Sequence, residues 1–212
     1  MIAHGDVDPR DRAQLEGAEL IVAADGGTLA LERWNFVPHA IVGDLDSLGV
    51  DRAAEYAGQG VTVLPYSPEK DESDLELAIA YATTAKADDI VLLGILGGAR
   101  FDHEIANTLL IAADDYRGGR LRAVRGDVTV RALHGGETLE LGGVAGDLVT
   151  LLAVRGDADG VRTHGLKYPL AGETLHFGAA RGLSNVVVSA AATVSCDRGA
   201  LLVIETADGG VS

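Results

Sequence analysis

Two aspartates follow an apolar run in Ile41-Val42-Gly43-Asp44-Leu45-Asp46-Ser47. Side chains two residues apart on an extended segment point the same way. Asp44 and Asp46 are therefore expected to aim into one volume, where they repel unless a cation lies between them. Hard oxygen donors of this kind suit Mg²⁺, which is held by one or two carboxylates together with substrate phosphates. The pattern points to phosphate chemistry; an acidic turn that only caps the next helix is the plainer alternative.

A second acidic cluster, Lys70-Asp71-Glu72-Ser73-Asp74-Leu75-Glu76, precedes the apolar pattern Leu77, Ala78, Ala80, Tyr81. Ser73 with Glu76 three residues on spells a capping box, which needs no ligand. Capping does not account for Lys70, Asp71 and Asp74. At a helix N-terminus free N–H groups bind phosphate oxygens, so a lysine there could touch phosphate while the acids hold metal. A third cluster runs from Gly94 to His103 and carries Gly97, Gly98, Arg100 and Asp102, with Asn107 in the helix that follows. Glycines opening a helix let backbone amides approach phosphate, and Arg100 could grip a phosphoryl group with two N–H donors. His103 and Asn107, four apart, share one helical face. Asp25-Gly26-Gly27 is a strand-to-helix turn of the same kind, by itself a common turn signal. Towards the C-terminus, Gly165 to Leu170 (with Tyr168) and Gly182-Leu183-Ser184-Asn185 are the polar clusters with glycine. They read as two β loops, or as a wall where Tyr168 shapes a pocket and Ser184 and Asn185 hydrogen-bond a heterocycle.

The elements that must position these residues fall into two styles. Up to about residue 117, strands over 20–24, 40–42, 61–64 and 90–93 alternate with helices over 28–34, 51–57, 73–84 and 103–113. Near-continuous apolar strands between helices predict a parallel sheet covered by helices on both faces. Ligands bind such sheets outside the carboxyl ends of the strands, where the clusters after residues 24, 42 and 93 fall. Beyond Tyr116-Arg117-Gly118-Gly119, short β segments follow one another: 121–124, 128–133, 138–141, 148–154, 160–163, 174–177, 185–189, 192–195 and 201–205. That spacing predicts an all-β sandwich or barrel. The expected domains are 1–117 and 118–212.

The 212 residues carry a formal net charge of −15, which argues against a nucleic-acid partner. A small polyanion carried with Mg²⁺ remains compatible, since the metal supplies positive charge. Hydrophobic residues at 47% supply a core. One cysteine, Cys196, rules out an internal disulfide framework. The first six residues lack a secretory pattern, and the run from Ile90 to Leu96 is too short to span a bilayer. A soluble, cytoplasmic protein is expected.

Taken in order, Ala24 to Gly27, Gly43 to Ser47, Lys70 to Glu76, Gly97 to His103 with Asn107, Gly165 to Leu170, and Gly182 to Asn185 resemble the thiamine pyrophosphokinase family. The resemblance implies an N-terminal α/β domain and a C-terminal β-sandwich. It also implies a homodimer, with the active site between the α/β domain of one subunit and the sandwich of the other. The implied reaction moves the β,γ-pyrophosphoryl group of ATP to the hydroxyl of thiamine. By position, Asp44, Asp46 and Asp74 look like the family's Mg²⁺ acids, with Asp71 close by; Arg100 and Asp102 match its phosphate-site pair. Asp71, Asp74, Arg100 and Asp102 are thus the catalytic candidates. Asp25, Gly26, Gly27, Ser47, Lys70, Ser73, Gly97, Gly98, His103 and Asn107 are expected around ATP. Tyr168, Ser184 and Asn185 are expected around thiamine. Four departures stand out: Ser73 where threonine is usual, Ala99 as an added loop residue, His39 where an acid is common, and no tryptophan in the second half. A pterin-type alcohol as acceptor, or a sensor that binds without chemistry, are the alternatives.

Overall fold

The computed structural model describes residues 1–118 and 120–207. Gly119, at the expected domain junction, and residues 208–212 lie outside the described residues. The fold is mixed α/β, with a small parallel sheet and helices first and mostly β-strand afterwards. The chain divides into two compact units. One is Met1–Asn107 with Val124–Gly126; the other is Thr108–Ala123 with Asp127 onward.

In the first unit, β1 (Val22–Ala24), β2 (Ala40–Gly43) and β3 (Thr62–Pro65) form a parallel sheet in the order β1-β2-β3. Ala24 sits opposite Val42, and Gly43 opposite Pro65. The sequence reading places no element before Leu20, yet Ile2 lies within this unit's parallel array. It bridges in parallel to Ala23 of β1 and to Leu93, just past β4 (Ile90–Leu92). Its N–H donates to Val22 O at 3.0 Å, and Ala3 N donates to Leu93 O at 2.8 Å. A segment this short has no period to read. A 3₁₀ helix over Pro9–Leu15, capped by Asp8, follows it and was likewise not expected.

Helix α1 (Thr28–Arg33) begins directly after the Asp25-Gly26-Gly27 turn. Helix α2 (Val50–Gly58) buries Ala53 and Tyr56. Helix α3 (Asp74–Thr84) buries Leu75, Ala78, Ile79 and Ala82, a single i, i+3, i+4 stripe set against β1 and β2. Its capping box is present: Ser73 Oγ accepts from Glu76 N, and Ser73 N donates to the Glu76 carboxylate at 2.8 Å. Ile2, Ala23, Leu31 and Ile41 are the most enclosed members of this unit's core. Helix α4 runs Phe101–Leu110, earlier at both ends than the expected 103–113; it ends early because the bonds at Ala112 and Ala113 tighten to i−3.

The second unit holds β5 (Leu121–Arg125), whose last residues count with the first unit, and then β6 (Val128–His134), β7 (Thr138–Glu140), β8 (Leu148–Ala153) and β9 (Ala158–His164). β10 (Ala171–Leu175), β11 (Asn185–Val186), β12 (Thr193–Ser195) and β13 (Ala200–Thr206) complete it. One sheet runs β10-β9-β12-β7, and another takes the order β11-β8-β13-β6-β5. Val161 and Val194 from the first share a core with Val149, Leu151 and Val203 from the second. Two strands of this unit end two or more residues short of expectation. β10 ends at Leu175 because Asp157 captures His176 Nδ1 at 2.8 Å and Phe177 N at 2.9 Å. β11 stops at Val186 because the next two N–H groups bond to Asp147 O and Gly165 O in loops. Among the described residues no helix is long and apolar enough to cross a membrane.

Candidate active site

A cleft of about 520 Å³ opens at the carboxyl ends of the first unit's strands. Asp25 follows β1, Asp44 and Asp46 follow β2, and Gly94 follows β4, so the sheet delivers all of them to one rim. The geometry after β2 differs from the sequence reading. The strand stops at Gly43 and Leu45 turns back with φ +63°, so Asp44 and Asp46 are not neighbours on a pleat. They reach the same cleft through a turn in which Asp46 N donates to Asp44 Oδ1 at 3.2 Å.

The carboxylates that converge are Asp25, Asp44 and Asp74, each offering an oxygen within 4.8 Å of the others. Asp46 lines the cleft beside them. Asp25 is buried, with φ +37°, a backbone region that Asp and Asn tolerate better than most residues. Its Oδ2 accepts from Ser47 N at 3.2 Å, while its Oδ1 is buried without a hydrogen-bond partner. Burial pushes the Asp25 carboxyl above its ordinary value, partly opposed by the Ser47 bond. The hydroxyl of Ser47, donating to Asp46 Oδ1 at 3.0 Å, holds the Asp46 carboxyl lower.

Gly43 makes this convergence possible. A side-chain carbon there would stand 2.9 Å from Asp25 Cβ and 3.0 Å from Asp74 Cγ, and its φ of +149° is unfavourable for other residues. Asp74 arrives at the start of α3, with Lys70 Nζ 2.9 Å from its Oδ1. The contact is an ion pair without hydrogen-bond geometry, so that buried oxygen also lacks a hydrogen bond.

Ser47, Lys70, Ser73, Gly97 and Gly98 line the cleft, as do Arg100, His103 and Asn107 on the far side. Gly26 lines it too; Gly27 does not, being packed where a Cβ would meet Ile2 O at 2.1 Å. Asp71 and Asp102 are not among the lining residues. Asp102 is exposed and takes two bonds from Arg100, at 2.9 and 2.6 Å, which hold its carboxyl far below the usual range. His39 has a framework role, accepting from Ile21 N at 2.9 Å.

The cleft also holds His4, Gly5 and Glu104, which the sequence reading missed. A signal existed: Ile2-Ala3-His4-Gly5 repeats in miniature the apolar-then-polar pattern that marks the other strand ends.

In the second unit, Asn185 is buried and both ends of its amide are engaged. Its Oδ1 accepts from Tyr168 N and Val186 N, each at 2.9 Å, and its Nδ2 donates to Tyr168 O at 2.7 Å. The side chain thus pins the Tyr168 backbone. Tyr168 is exposed, with Lys167 Nζ 5.5 Å from its ring centroid. Ser184 has φ +55° and donates its N–H to Thr150 Oγ1 at 3.1 Å.

Comparison with known proteins gives a consistent result. The family model described as "Thiamin pyrophosphokinase, catalytic domain" matches residues 12–118. The one described as "Thiamin pyrophosphokinase, vitamin B1 binding domain" matches residues 138–201. The thiamine pyrophosphokinase of Bacillus subtilis is 25% identical over 189 residues, covering 89% of this chain and 88% of that protein. Its crystal structure superposes with a TM-score of 0.80 over 98% of each chain. The thiamine pyrophosphokinase 2 of Oryza sativa is 28% identical over 205 residues, covering 85% of this chain and 75% of its own length. A thiamin pyrophosphokinase structure from Geobacillus thermodenitrificans, 26% identical, gives a TM-score of 0.78 with 100% of both chains covered.

Proposed function

Since this chain belongs to the thiamin pyrophosphokinase family, we infer that it transfers the pyrophosphoryl group of ATP to the hydroxyl of thiamine, giving thiamine diphosphate and AMP. In that step the bond from the α-phosphate's bridging oxygen to the β-phosphorus breaks. The thiamine oxygen bonds to that phosphorus, the electron pair leaves with AMP, and the hydroxyl proton is released. The observation that carries the reading is the meeting of Asp25, Asp44 and Asp74 at the mouth of a strand-end cleft.

The donor set fits Mg²⁺. Three hard oxygens gather in one place, and one of their carboxylates keeps a buried oxygen with no other partner. Asp25, Asp44 and Asp74 would hold the ion, with Asp46 beside them; once bound, it supplies neutralisation of phosphate charge. The chain's own groups do the rest. Lys70 and the first residues of α3 line the cleft, so the lysine and the free amides there would meet incoming phosphate oxygens. Gly97 and Gly98 leave backbone amides open to the transferring group, and Arg100 can exchange Asp102 for a phosphoryl oxygen. One such preorganised donor is commonly worth about 3–4 kcal/mol in the transition state.

The division of labour follows the two matched regions: residues 1–117 for ATP and metal, 118–212 for thiamine, with Tyr168 and Ser184 as contacts and Asn185 holding the loop. A sandwich arrangement for the second unit is supported by the core its two sheets share. Helices on both faces of the parallel sheet are carried over from the family. So is a homodimer, supported by Phe101, Ile105 and Leu109 exposed at four-residue spacing along α4. A cytoplasmic setting fits the single free, buried Cys196.

The test is AMP release from ATP, measured with thiamine, with hydroxymethylpterin and with no acceptor. AMP formed with thiamine at the expense of the other two arms is expected. Release with the pterin alone, or ATP binding with no AMP in any arm, would overturn the reading.

A further inference from the structure

An imidazole stands between the two halves of the cleft. Ile2 bridges Ala23 on one side and Leu93 on the other. The rim therefore runs from the Gly94–Gly98 loop, through His4 and Gly5, to Asp25 and then Asp44. His4 is exposed and lines the cleft. Its ring fills the space over Gly26, where a Cβ would meet Cγ and Nδ1 at 2.5 Å. Nδ1 faces Ser47 Oγ at 3.5 Å, a distance too long to fix the tautomer, and Nε2 has no partner among the described residues. Two other basic groups of the cleft are already engaged, Lys70 by Asp74 and Arg100 by Asp102.

We propose that His4 is a phosphate-contacting residue, whose Nε2–H donates to a non-bridging oxygen of the nucleotide's phosphate chain where it passes from the carboxylate trio to the glycine loop. Three observations carry this: the position on the rim, the ring's seat over a glycine, and the free nitrogen. A phosphate chain that would be held at one end by Mg²⁺ on Asp25, Asp44 and Asp74, and at the other by the Gly97 and Gly98 amides, must cross the strand that lies between β1 and β4. His4 is the polar side chain at the end of that strand. The proposal rests on the reading that ATP is the substrate, and it assigns His4 the role of holding the phosphates without taking part in bond making.

The experiment compares His4→Ala and His4→Gln with the unaltered protein, using calorimetric binding of α,β-methylene ATP with Mg²⁺, steady-state kinetics and thermal melting. His4→Ala is expected to weaken the analogue about tenfold, the loss of one hydrogen bond to a charged group. KM for ATP should rise to match, while KM for thiamine and the melting temperature stay unchanged. Glutamine, which restores an N–H donor at similar reach, should recover most of the affinity. Unchanged analogue affinity in His4→Ala overturns the proposal. So does a loss shared equally by thiamine KM and melting temperature, which marks a framework role. If the unaltered protein binds the analogue yet releases no AMP from ATP and thiamine, the transfer reading fails, while the calorimetry still decides for or against His4.

Discussion

Asp25→Asn separates the electrostatic cost of the carboxylate trio from its use. Three ionised carboxylates with oxygens within 4.8 Å repel by about 3.5 kcal/mol per pair at an effective dielectric near 20. Two of the three pairs involve Asp25. Water reaches the half-buried Asp44 and Asp74, and Lys70 Nζ sits 2.9 Å from Asp74, so the net relief on neutralising Asp25 is about 1–2 kcal/mol. Asparagine keeps the acceptor for Ser47 N and tolerates the φ of +37°. The substitution therefore changes charge and little else. Without added metal, Asp25→Asn should melt about 3–6 °C higher at pH 7.

The pH dependence has a definite sign. Burial raises the folded-state carboxyl of Asp25, so the folded protein binds more protons than the unfolded chain. Stability linked to this group is full below the ordinary aspartate range and is lost as pH rises from about 4 through the raised value. Asp25→Asn should flatten that slope. Excess Mg²⁺ should raise the melting temperature of the unaltered protein more than that of the variant, and AMP release by the variant should fall at least about a hundredfold. A variant that melts lower than the unaltered protein in EDTA would show that the trio is not under electrostatic strain. Equal Mg²⁺ response in the two proteins would remove Asp25 from the metal site.

Gly43→Ala places a methyl carbon 2.9 Å from Asp25 Cβ and 3.0 Å from Asp74 Cγ at a φ of +149°. It should cost about 1–3 kcal/mol in urea unfolding and raise the Mg²⁺ concentration needed for half-maximal AMP release; an unchanged metal requirement refutes the packing argument. Asn185→Ala leaves Tyr168 N and O without their side-chain partner. A loss of about 1–3 kcal/mol in denaturant titration is expected, with KM for thiamine raised and KM for ATP unmoved; a rise in both constants removes Tyr168 from the thiamine contacts.

The elements that fix the site were legible where a local pattern was long enough. The Ser73/Glu76 capping box and the apolar stripe of α3 are written within eleven residues of one another, so helix, start and buried face could all be read. The grouping at the rim was less so, because it depends on which strands are neighbours. Strand alternation singles out Asp46 as the companion of Asp44, two positions away. The structure also brings Asp25 there, from nineteen residues before Asp44 in the chain. The parallel register that sets Ala24 beside Val42 carries Asp25 next to Gly43, the residue whose missing side chain leaves room for it. Local spacing cannot express that register, and the glycine that permits it reads in isolation only as a turn former. His4 follows the same logic: Ile2 is one residue of ladder, invisible to any period, yet its two bridges decide which side chain stands between the carboxylates and the glycine loop. Catalytic geometry on a parallel sheet is therefore set by strand order, and residues adjacent across the rim are best sought one strand over, not two residues along.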